Sequence, residues 1–178
     1  MRYKYGSITR PNGTTVVTDA VGLLNLYEYQ TSYRGTTYDN GYLNTKSSLY
    51  TLTPQTANTI IYISYGYPSM ETFSEVSTNI RPAINLKSDV KIVSGNGTAD
   101  DPYRLEGDND SDLSGSLLNT RYSGEYIRFG TGENNLYQIV SHETEGLTKI
   151  TSAEPLKDSG SFKLMLFGGN NIFQVRIQ

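Results

Sequence analysis

The sequence has no cysteine and no tryptophan, and it contains a single histidine, His142. Without cysteine the chain has no disulfide bond, thiolate zinc ligand or cysteine nucleophile. One histidine excludes any catalytic triad or metal triad that needs more than this residue. Ser141 and Glu143 flank it, but neighbours on a strand point to opposite faces, so we interpret His142 as a surface residue. We therefore expect no enzymatic activity.

Charge is also scarce, because only 19% of the residues are charged and the formal net charge is -3. Such a chain presents no basic field to a phosphate backbone, so we expect no nucleic-acid partner. No apolar run approaches the roughly 20 residues that a membrane-spanning helix needs. The first four residues lead into no signal-like hydrophobic segment. An export signal that was removed before Met1 is the alternative. We expect no membrane insertion.

The residues that are abundant favour β-structure. The chain of 178 residues contains 15 Tyr, 5 Phe and 17 Gly, and Tyr and Thr suit half-exposed pleated surfaces. This length allows one well-buried domain or two small ones. We predict an α+β fold that is predominantly antiparallel β, in an extracellular protein.

One short helix is predicted at about 19–31. Asp19 stands at the N-cap position, and apolar residues at Ala20, Leu23, Leu24 and Tyr27 give the stripe of an amphipathic helix. The Asn-Gly pair at 12–13 predicts a hairpin before it. The other predicted strands are 14–18, 49–52, 59–65, 70–76, 83–86, 90–93, 125–129, 136–141 and 147–152.

Two further features of the pattern carry predictions. The run 59–65 is nearly continuous in β-branched and aromatic residues, which indicates a central strand covered on both faces. Two glycine pairs, at 95–97 and 130–132, resemble phosphate-binding loops. Because no helix-like segment follows either of them, we interpret both as hairpin turns.

Residues 173–178 alternate in period two, as a half-buried strand does. Ile172, Phe173, Val175 and Ile177 are apolar, and polar residues lie between most of them. No later segment of this sequence can pair with such a strand. We therefore predict that it is an assembly strand.

The segment 106–123 is rich in Gly, Ser, Asp and Asn and is predicted to be a linker. Asp108, Asp110 and Asp112 lie within it at alternate positions, as in the first part of a calcium loop. The bidentate glutamate of such a loop would fall near position 119, which is Asn119. A solvated acidic linker is the preferred interpretation, with no cofactor, and Ca²⁺ binding is the alternative.

Clustered tyrosines offer a candidate ligand face at Tyr62, Tyr65 and Tyr67. Tyrosine rings stack on sugars and also fill ordinary sheets. Both interpretations, a ligand-binding face and ordinary packing in a sheet, are therefore kept.

Residues 79–105 and 124–140 together resemble a known family. The first segment is similar to the C-terminal signature of secreted, surface-attached proteins of Gram-positive bacteria, several of them pilin-like. The second segment resembles the opening of the same domain, although Tyr50 stands where the family tends to have tryptophan. The residues that carry the signature are Arg81, Pro82, Asn85, Leu86, Lys87, Gly95, Gly97, Thr98, Pro102 and Tyr103.

This resemblance implies a C-type-lectin-like fold in circularly permuted or swapped order. Residues 1–105 would be the C-terminal-type half, 106–123 the linker and 124–178 the N-terminal-type half. The second half can complete a domain within its own chain or in the next chain, and exchange between chains gives a head-to-tail filament. The expected protein is a cell-surface adhesive or structural module whose partner is itself. The alternative is a monomeric lectin-like module that binds a glycan or a protein on a host surface.

Overall fold

A computed structural model describes residues 8–10, 13–15, 21–33, 40–56, 59–72, 77–106, 115–162 and 164–166. These residues form one short α-helix, α1, and a larger number of strands, so the fold is α+β and rich in β-sheet. Helix α1 spans Leu26–Thr31, and a 3₁₀ helix spans Leu118–Thr120. The strands are β1 Ile8–Arg10, β2 Gly13–Thr15, β3 Gly22–Leu23, β4 Leu49–Pro54, β5 Thr59–Ser64, β6 Tyr67–Thr72, β7 Ser77–Asn79, β8 Pro82–Leu86, β9 Ile92–Ser94, β10 Tyr103–Leu105, β11 Tyr126–Arg128, β12 Leu136–His142, β13 Thr148–Ser152, β14 Lys157–Asp158, β15 Ser161–Phe162 and β16 Leu164–Leu166.

Two larger sheets organise the described residues. The first has seven strands in the order β3-β8-β13-β12-β11-β10-β9, and the second has five in the order β16-β7-β4-β5-β6. Two hairpins, β1-β2 and β14-β15, stand beside them. Most pairs are antiparallel, as predicted, and the parallel ones are β10 with β11 and β4 with β7.

The seven-stranded sheet combines strands from distant parts of the chain. Strand β13 pairs with β12 on one side and with β8 on the other, and β11 pairs with β10. Strands of 126–152 therefore share a sheet with strands of 22–105 of the same chain. The segment 115–123, which falls in the predicted linker, packs its Leu118 into this unit with no exposed surface.

The core lies on both faces of this sheet. One cluster contains Ile84, Ile127, Ile139 and Ile150. A second cluster joins Ala83 and Val140 of the seven-stranded sheet with Leu49 and Ile63 of the five-stranded sheet and with Tyr29 of α1. The helix and the two sheets therefore meet at this second cluster.

The helix begins later than predicted. Asp19 and Ala20 lie outside the described residues, and Leu23 is in β3, where it pairs with Pro82. The N-cap is instead Asn25, whose side chain accepts a hydrogen bond from the Glu28 N–H, while the Glu28 carboxylate accepts one from the Asn25 N–H. This capping box fixes the start of the helix more strongly than an apolar stripe does.

The predicted central strand and glycine turns agree with the structure. Strand β5 lies between β4 and β6, and it contributes Ile60 to one core cluster and Ile63 to another. The segment 95–97 lies between the antiparallel strands β9 and β10, and 130–132 lies between β11 and β12. Both glycine pairs are hairpin connections.

Candidate functional site

Arg81, the first of the residues on which the resemblance rests, is buried at the junction of the elements. Its side chain is 2% exposed, and its Nε donates to the Ser152 carbonyl oxygen at 2.7 Å. Its Nη1 donates to the Leu43 carbonyl oxygen and its Nη2 to Gln138 Oε1 at 3.2 Å. The guanidinium fork thus joins β12, β13 and the segment before β4 through three neutral acceptors. This arrangement is structural.

Arg81 is electrostatically coupled to Tyr29 in the same region. Burial lowers the pKa of Arg81 to about 10, and Tyr29 partly offsets this effect. Burial raises the pKa of Tyr29 to about 12, which the charge of Arg81 partly offsets. The Tyr29 hydroxyl is buried without a hydrogen-bond partner in the structure. The low dielectric around the pair disfavours both charged forms, which explains why the pKa of Tyr29 rises and that of Arg81 falls.

The glycine motif of the signature closes the loop between β9 and β10. Gly95 and Gly97 have φ of +91° and +82°, in the left-handed region that favours glycine. A Cβ on Gly95 would lie 2.3 Å from the Pro102 carbonyl oxygen, and one on Gly97 would lie 2.6 Å from the Tyr103 ring. The loop is folded directly against the start of β10, which leaves no room for a side chain at either position.

Thr98 holds the rest of this loop. Its hydroxyl donates to Asn96 Oδ1 at 2.8 Å and accepts from the Asp101 N–H at 3.1 Å. The Gly97 carbonyl accepts from the Tyr126 N–H at 2.8 Å and so ties the loop to β11. In the sheet order three strands separate β8 from β10. The two parts of the signature are therefore not brought together into one site.

The remaining signature residues lie on β8 or just after it. Pro82 and Leu86 are buried, and Lys87 is exposed. Asn85 is opposite Lys149 of β13 in the antiparallel register. Its Oδ1 is buried and has no hydrogen-bond partner. Lys149 forms an ion pair with Glu28 of α1, and the two side chains are only 11% and 12% exposed.

The tyrosine face predicted from the sequence is brought together at the β5-β6 hairpin. Tyr62 is opposite Ser69 and Tyr67 is opposite Ser64, so Tyr62 and Tyr67 lie on the same face. Tyr65 lies in the turn with φ of 48°. Tyr65 and Tyr67 are 68% and 47% exposed, whereas Tyr62 packs partly against the third core cluster. Within this hairpin, the open aromatic surface is therefore at the end, at Tyr65 and Tyr67.

Strand β6 is the last strand of the five-stranded sheet. Within the described residues it pairs with β5 along all six positions and with no strand on its other side. Pro68 is compatible with such an edge because it lacks an N–H. Met70 is 56% exposed, and Glu71 is the one charged residue of the strand. The other edge of the sheet is β16.

Two sets of predicted site residues cannot be compared with the structure. The assembly strand, with Ile172, Phe173, Val175 and Ile177, lies outside the described residues, as do Asp108, Asp110 and Asp112. In the described ranges no three or more His, Cys, Asp or Glu side chains are grouped so that they could hold a metal ion. None of the helices in those ranges is long and apolar enough to cross a membrane.

His142 is exposed, as expected, and has two hydrogen-bond partners. Its Nε2 is 2.7 Å from the Arg121 carbonyl oxygen and its Nδ1 is 3.1 Å from Thr148 Oγ1. The first of these contacts requires a proton on Nε2, because a carbonyl only accepts. The ring is therefore held between a loop carbonyl, that of Arg121, and a strand hydroxyl, that of Thr148.

The ion pair between Glu28 and Lys149 was not predicted from the sequence. A signal existed for Glu28, because Asn25 three residues before it forms the pattern of a capping box. A charged Lys149 inside the otherwise uncharged strand of residues 148–152 was a second signal. Nothing in the sequence indicates that these two residues meet, since helix and strand patterns do not specify tertiary partners.

Comparison with protein-family models, with curated proteins and with solved structures gave no match. Function is therefore inferred from the residues and geometry of this chain.

Proposed function

We propose that the protein is a non-enzymatic, extracellular structural or adhesive module of a bacterial surface that assembles head to tail into a fibre. The fold would be C-type-lectin-like with its two halves in permuted order. Within the described residues, strands of 126–152 already pair with strands of 22–105 of their own chain. This pairing supports completion of the seven-stranded sheet in cis, and it leaves the terminal strand 172–178 as the element donated to a neighbour.

The open edge of β6 is the observation that carries the proposal. An edge strand presents unpaired N–H and C=O groups, and an extended segment can add to it through main-chain hydrogen bonds. Within the described residues no strand lies on the outer side of β6, and alternate residues of its six direct their N–H and C=O groups to that side. The occupant that we propose is residues 172–178 of a second copy, the assembly strand.

The charges of the two strands are complementary. Glu71 is the one charged residue of β6, and Arg176 is the one charged residue of 172–178. If Arg176 is opposite Glu71, period-two alternation places Val175 and Ile177 on the face of Met70 in either strand direction. An opposite-charge pair across strands contributes about 0.2–1 kcal/mol, and each buried aliphatic side chain about 1.5–3 kcal/mol.

The positions of donor and acceptor favour an open chain of subunits. The segment 172–178 follows β16 in the sequence, and β16 and β6 are opposite edges of one sheet. A contact from one edge to the opposite edge of the next copy is heterologous, and a heterologous contact that does not close produces a filament. Each added copy would extend the sheet by the same step.

Sedimentation velocity over a range of concentrations tests the proposal. We expect the unmodified chain to form concentration-dependent polymers. The variant Met70→Lys, which places a charge on the edge strand, and deletion of residues 172–178 are each expected to remove them. The matched control is Tyr122→Lys, because Tyr122 is 76% exposed and lies before β11, outside the five-stranded sheet. Discrete monomers of the unmodified chain at every concentration would refute assembly.

A second candidate function is a monomeric lectin-like module, favoured by the exposed rings of Tyr65 and Tyr67. Aromatic rings bind sugars through their faces. A glycan array with the unmodified chain and with Tyr65→Ala separates the two functions. Binding to defined glycans that Tyr65→Ala weakens, by a protein that stays monomeric, would support the lectin-like module and not the fibre.

A further inference from the structure

We propose that a row of side chains across β9, β10, β11 and β12 binds an acidic polysaccharide, a polymer of sugars that carry a carboxylate. Arg104 and Arg128 hold the carboxylate, and Tyr126 and Leu136 contact the sugar ring. This site lies on the seven-stranded sheet, apart from β6 and from the tyrosine hairpin. It therefore goes beyond the proposed assembly and does not depend on it.

The register of four adjacent strands forms the row. Arg104 of β10 is level with Arg128 of the parallel strand β11. Ser94 of β9 is opposite Arg104, and Leu136 of β12 is opposite Arg128. Side chains at paired positions of neighbouring strands project from the same face of a sheet. The order across the sheet is therefore Ser94, Arg104, Arg128 and Leu136.

The two arginines are on an open part of the sheet surface. Tyr103 and Ile127, each one residue before its arginine, are buried in the first core cluster on the opposite face. Arg104 and Arg128 are exposed. The core thus fixes the backbone beneath the arginines while both guanidinium groups stay accessible. Side chains on strands are positioned more precisely than side chains on loops, which favours binding.

The row places two like charges side by side. Neighbouring strands lie about 4.7–4.9 Å apart, and like charges directly opposite each other destabilise a sheet. Within the described ranges no hydrogen bond or ion pair of Arg128 is found. Glu106 follows Arg104 by two residues, and its Oε1 accepts a hydrogen bond from the Lys91 N–H at 3.0 Å. A carboxylate bound between the two arginines would replace their repulsion by two attractions, and the planar fork of arginine matches a carboxylate.

Aromatic and aliphatic surface lies beside the charges. Tyr126 precedes Arg128 by two residues and shares its face, and Leu136 is the neighbour of Arg128 on β12. Both side chains are half-buried. Such groups suit the C–H face of a sugar ring, and the exposed Ser94 hydroxyl can donate to or accept from a sugar hydroxyl. An inorganic anion would use the arginines alone, whereas a sugar acid uses the whole row.

The charge of the whole chain favours a ligand of low charge density. The formal net charge is -3, so the arginine pair is a local exception. A dense polyanion such as nucleic acid needs many basic contacts, and the rest of this chain would repel it. A polymer of uronic acids carries one carboxylate on each sugar. One sugar unit of such a polymer therefore matches the two arginines.

Isothermal titration calorimetry with oligogalacturonate at low ionic strength tests the proposal. We expect the unmodified chain to bind, and added salt to weaken the binding. Arg104→Gln and Arg128→Gln should each lower the affinity about tenfold or more, the usual loss for a charge-assisted contact. Arg128→Lys keeps the charge without the fork and should also bind less tightly than the unmodified chain. Since both arginines are exposed, all three variants should keep the circular dichroism spectrum and melting temperature of the unmodified chain.

Two variants and two polymers are the controls. Lys87→Gln removes the same charge at an exposed position just after β8, and Tyr65→Ala alters the turn of the β5-β6 hairpin. Both should bind oligogalacturonate as tightly as the unmodified chain. Neutral dextran, which lacks the carboxylate, should not bind. Dextran sulfate, which has a higher charge density, should bind less tightly than oligogalacturonate.

Four results would overturn the proposal. The first is the absence of oligogalacturonate binding by the unmodified chain. The second is an equal loss in Lys87→Gln and Arg128→Gln, which would show a general attraction between charges. The third is equal or tighter binding of dextran sulfate, because charge alone would then be recognised. The fourth is binding that Tyr65→Ala removes and Arg128→Gln keeps, which would place the glycan at the hairpin.

Discussion

Arg81 Nε lies 2.7 Å from the carbonyl oxygen of Ser152 and donates a hydrogen bond to it. This contact joins the residue before β8 to the end of β13, across two segments that are distant in sequence. The same guanidinium also bonds Leu43 and Gln138. Arg81 is thus a buried connector of the fold, and its removal should destabilise the whole unit.

The substitution Arg81→Met should lower the free energy of unfolding by about 3 kcal/mol. Three buried acceptors would lose their donor, at about 1–3 kcal/mol each, and relief from burying the guanidinium charge would offset part of that cost. Urea denaturation measures the loss. The control is Lys87→Met at an exposed position just after β8, which should change the free energy of unfolding by no more than about 0.5 kcal/mol. Equal effects of the two substitutions would contradict a connecting role for Arg81.

The substitution Tyr29→Phe should not destabilise the protein near neutral pH, because the hydroxyl that it removes is buried without a partner. Its pH dependence has a defined sign. Burial raises the pKa of Tyr29 from 10.0 to about 12, so between these pH values the hydroxyl ionises more readily in the unfolded chain than in the folded chain, and the folded state loses stability as the pH rises. The stability of the unmodified chain should therefore fall relative to Tyr29→Phe across this window.

Denaturant unfolding of the two proteins at several alkaline pH values makes this comparison. Arg81, whose pKa burial lowers to about 10, acts in the opposite direction. Loss of the Tyr29 contribution in Tyr29→Phe would lower the pKa of Arg81 further, so the change at Arg81 adds to the expected difference between the two proteins. A constant difference in stability from pH 9 to 12 would show that the Tyr29 hydroxyl ionises alike in the folded and unfolded chains.

The substitution Gly97→Ala should destabilise the chain by more than the same change at Gly132. Both glycines have a φ near +80°, at +82° and +81°, so both substitutions carry a backbone cost of about 1 kcal/mol. Only at Gly97 would the new methyl group meet a neighbour, the Tyr103 ring at 2.6 Å. At Gly132 nothing lies within 4 Å.

Thermal unfolding of the two alanine variants gives the difference. We expect an additional loss of about 1–3 kcal/mol at Gly97, the usual range for overpacking in a well-packed region. Similar melting temperatures would mean that the loop moves away from Tyr103 at little cost.

Much of the strand pattern was predictable from the sequence, because period-two alternation and glycine turns are local signals. Strands were expected at 136–141 and 147–152, and the structure has β12 Leu136–His142 and β13 Thr148–Ser152. The helix was expected from Asp19, but Leu23 is held in β3 by pairing with Pro82. A tertiary strand pairing overrode the local apolar stripe.

Partners across the sheets were not predictable from such patterns. Alternation says which face a residue occupies, but it does not say which strand lies beside it. The order of the seven-stranded sheet, and with it the position of Lys149 opposite Asn85, depends on pairings between distant segments. The proximity of Tyr62, Tyr65 and Tyr67 was easier to predict, because the three residues lie in one hairpin and a local turn is enough to bring them together.

A mixing experiment tests the assembly most directly. Met70→Lys keeps the terminal strand but has a blocked edge, and the chain without residues 172–178 keeps the edge but has no strand to donate. Each alone should be monomeric, and their mixture should form a discrete one-to-one complex by sedimentation velocity, while the unmodified chain forms polymers. A mixture that contains only monomers, beside an unmodified chain that polymerises, would contradict the pairing of 172–178 with β6.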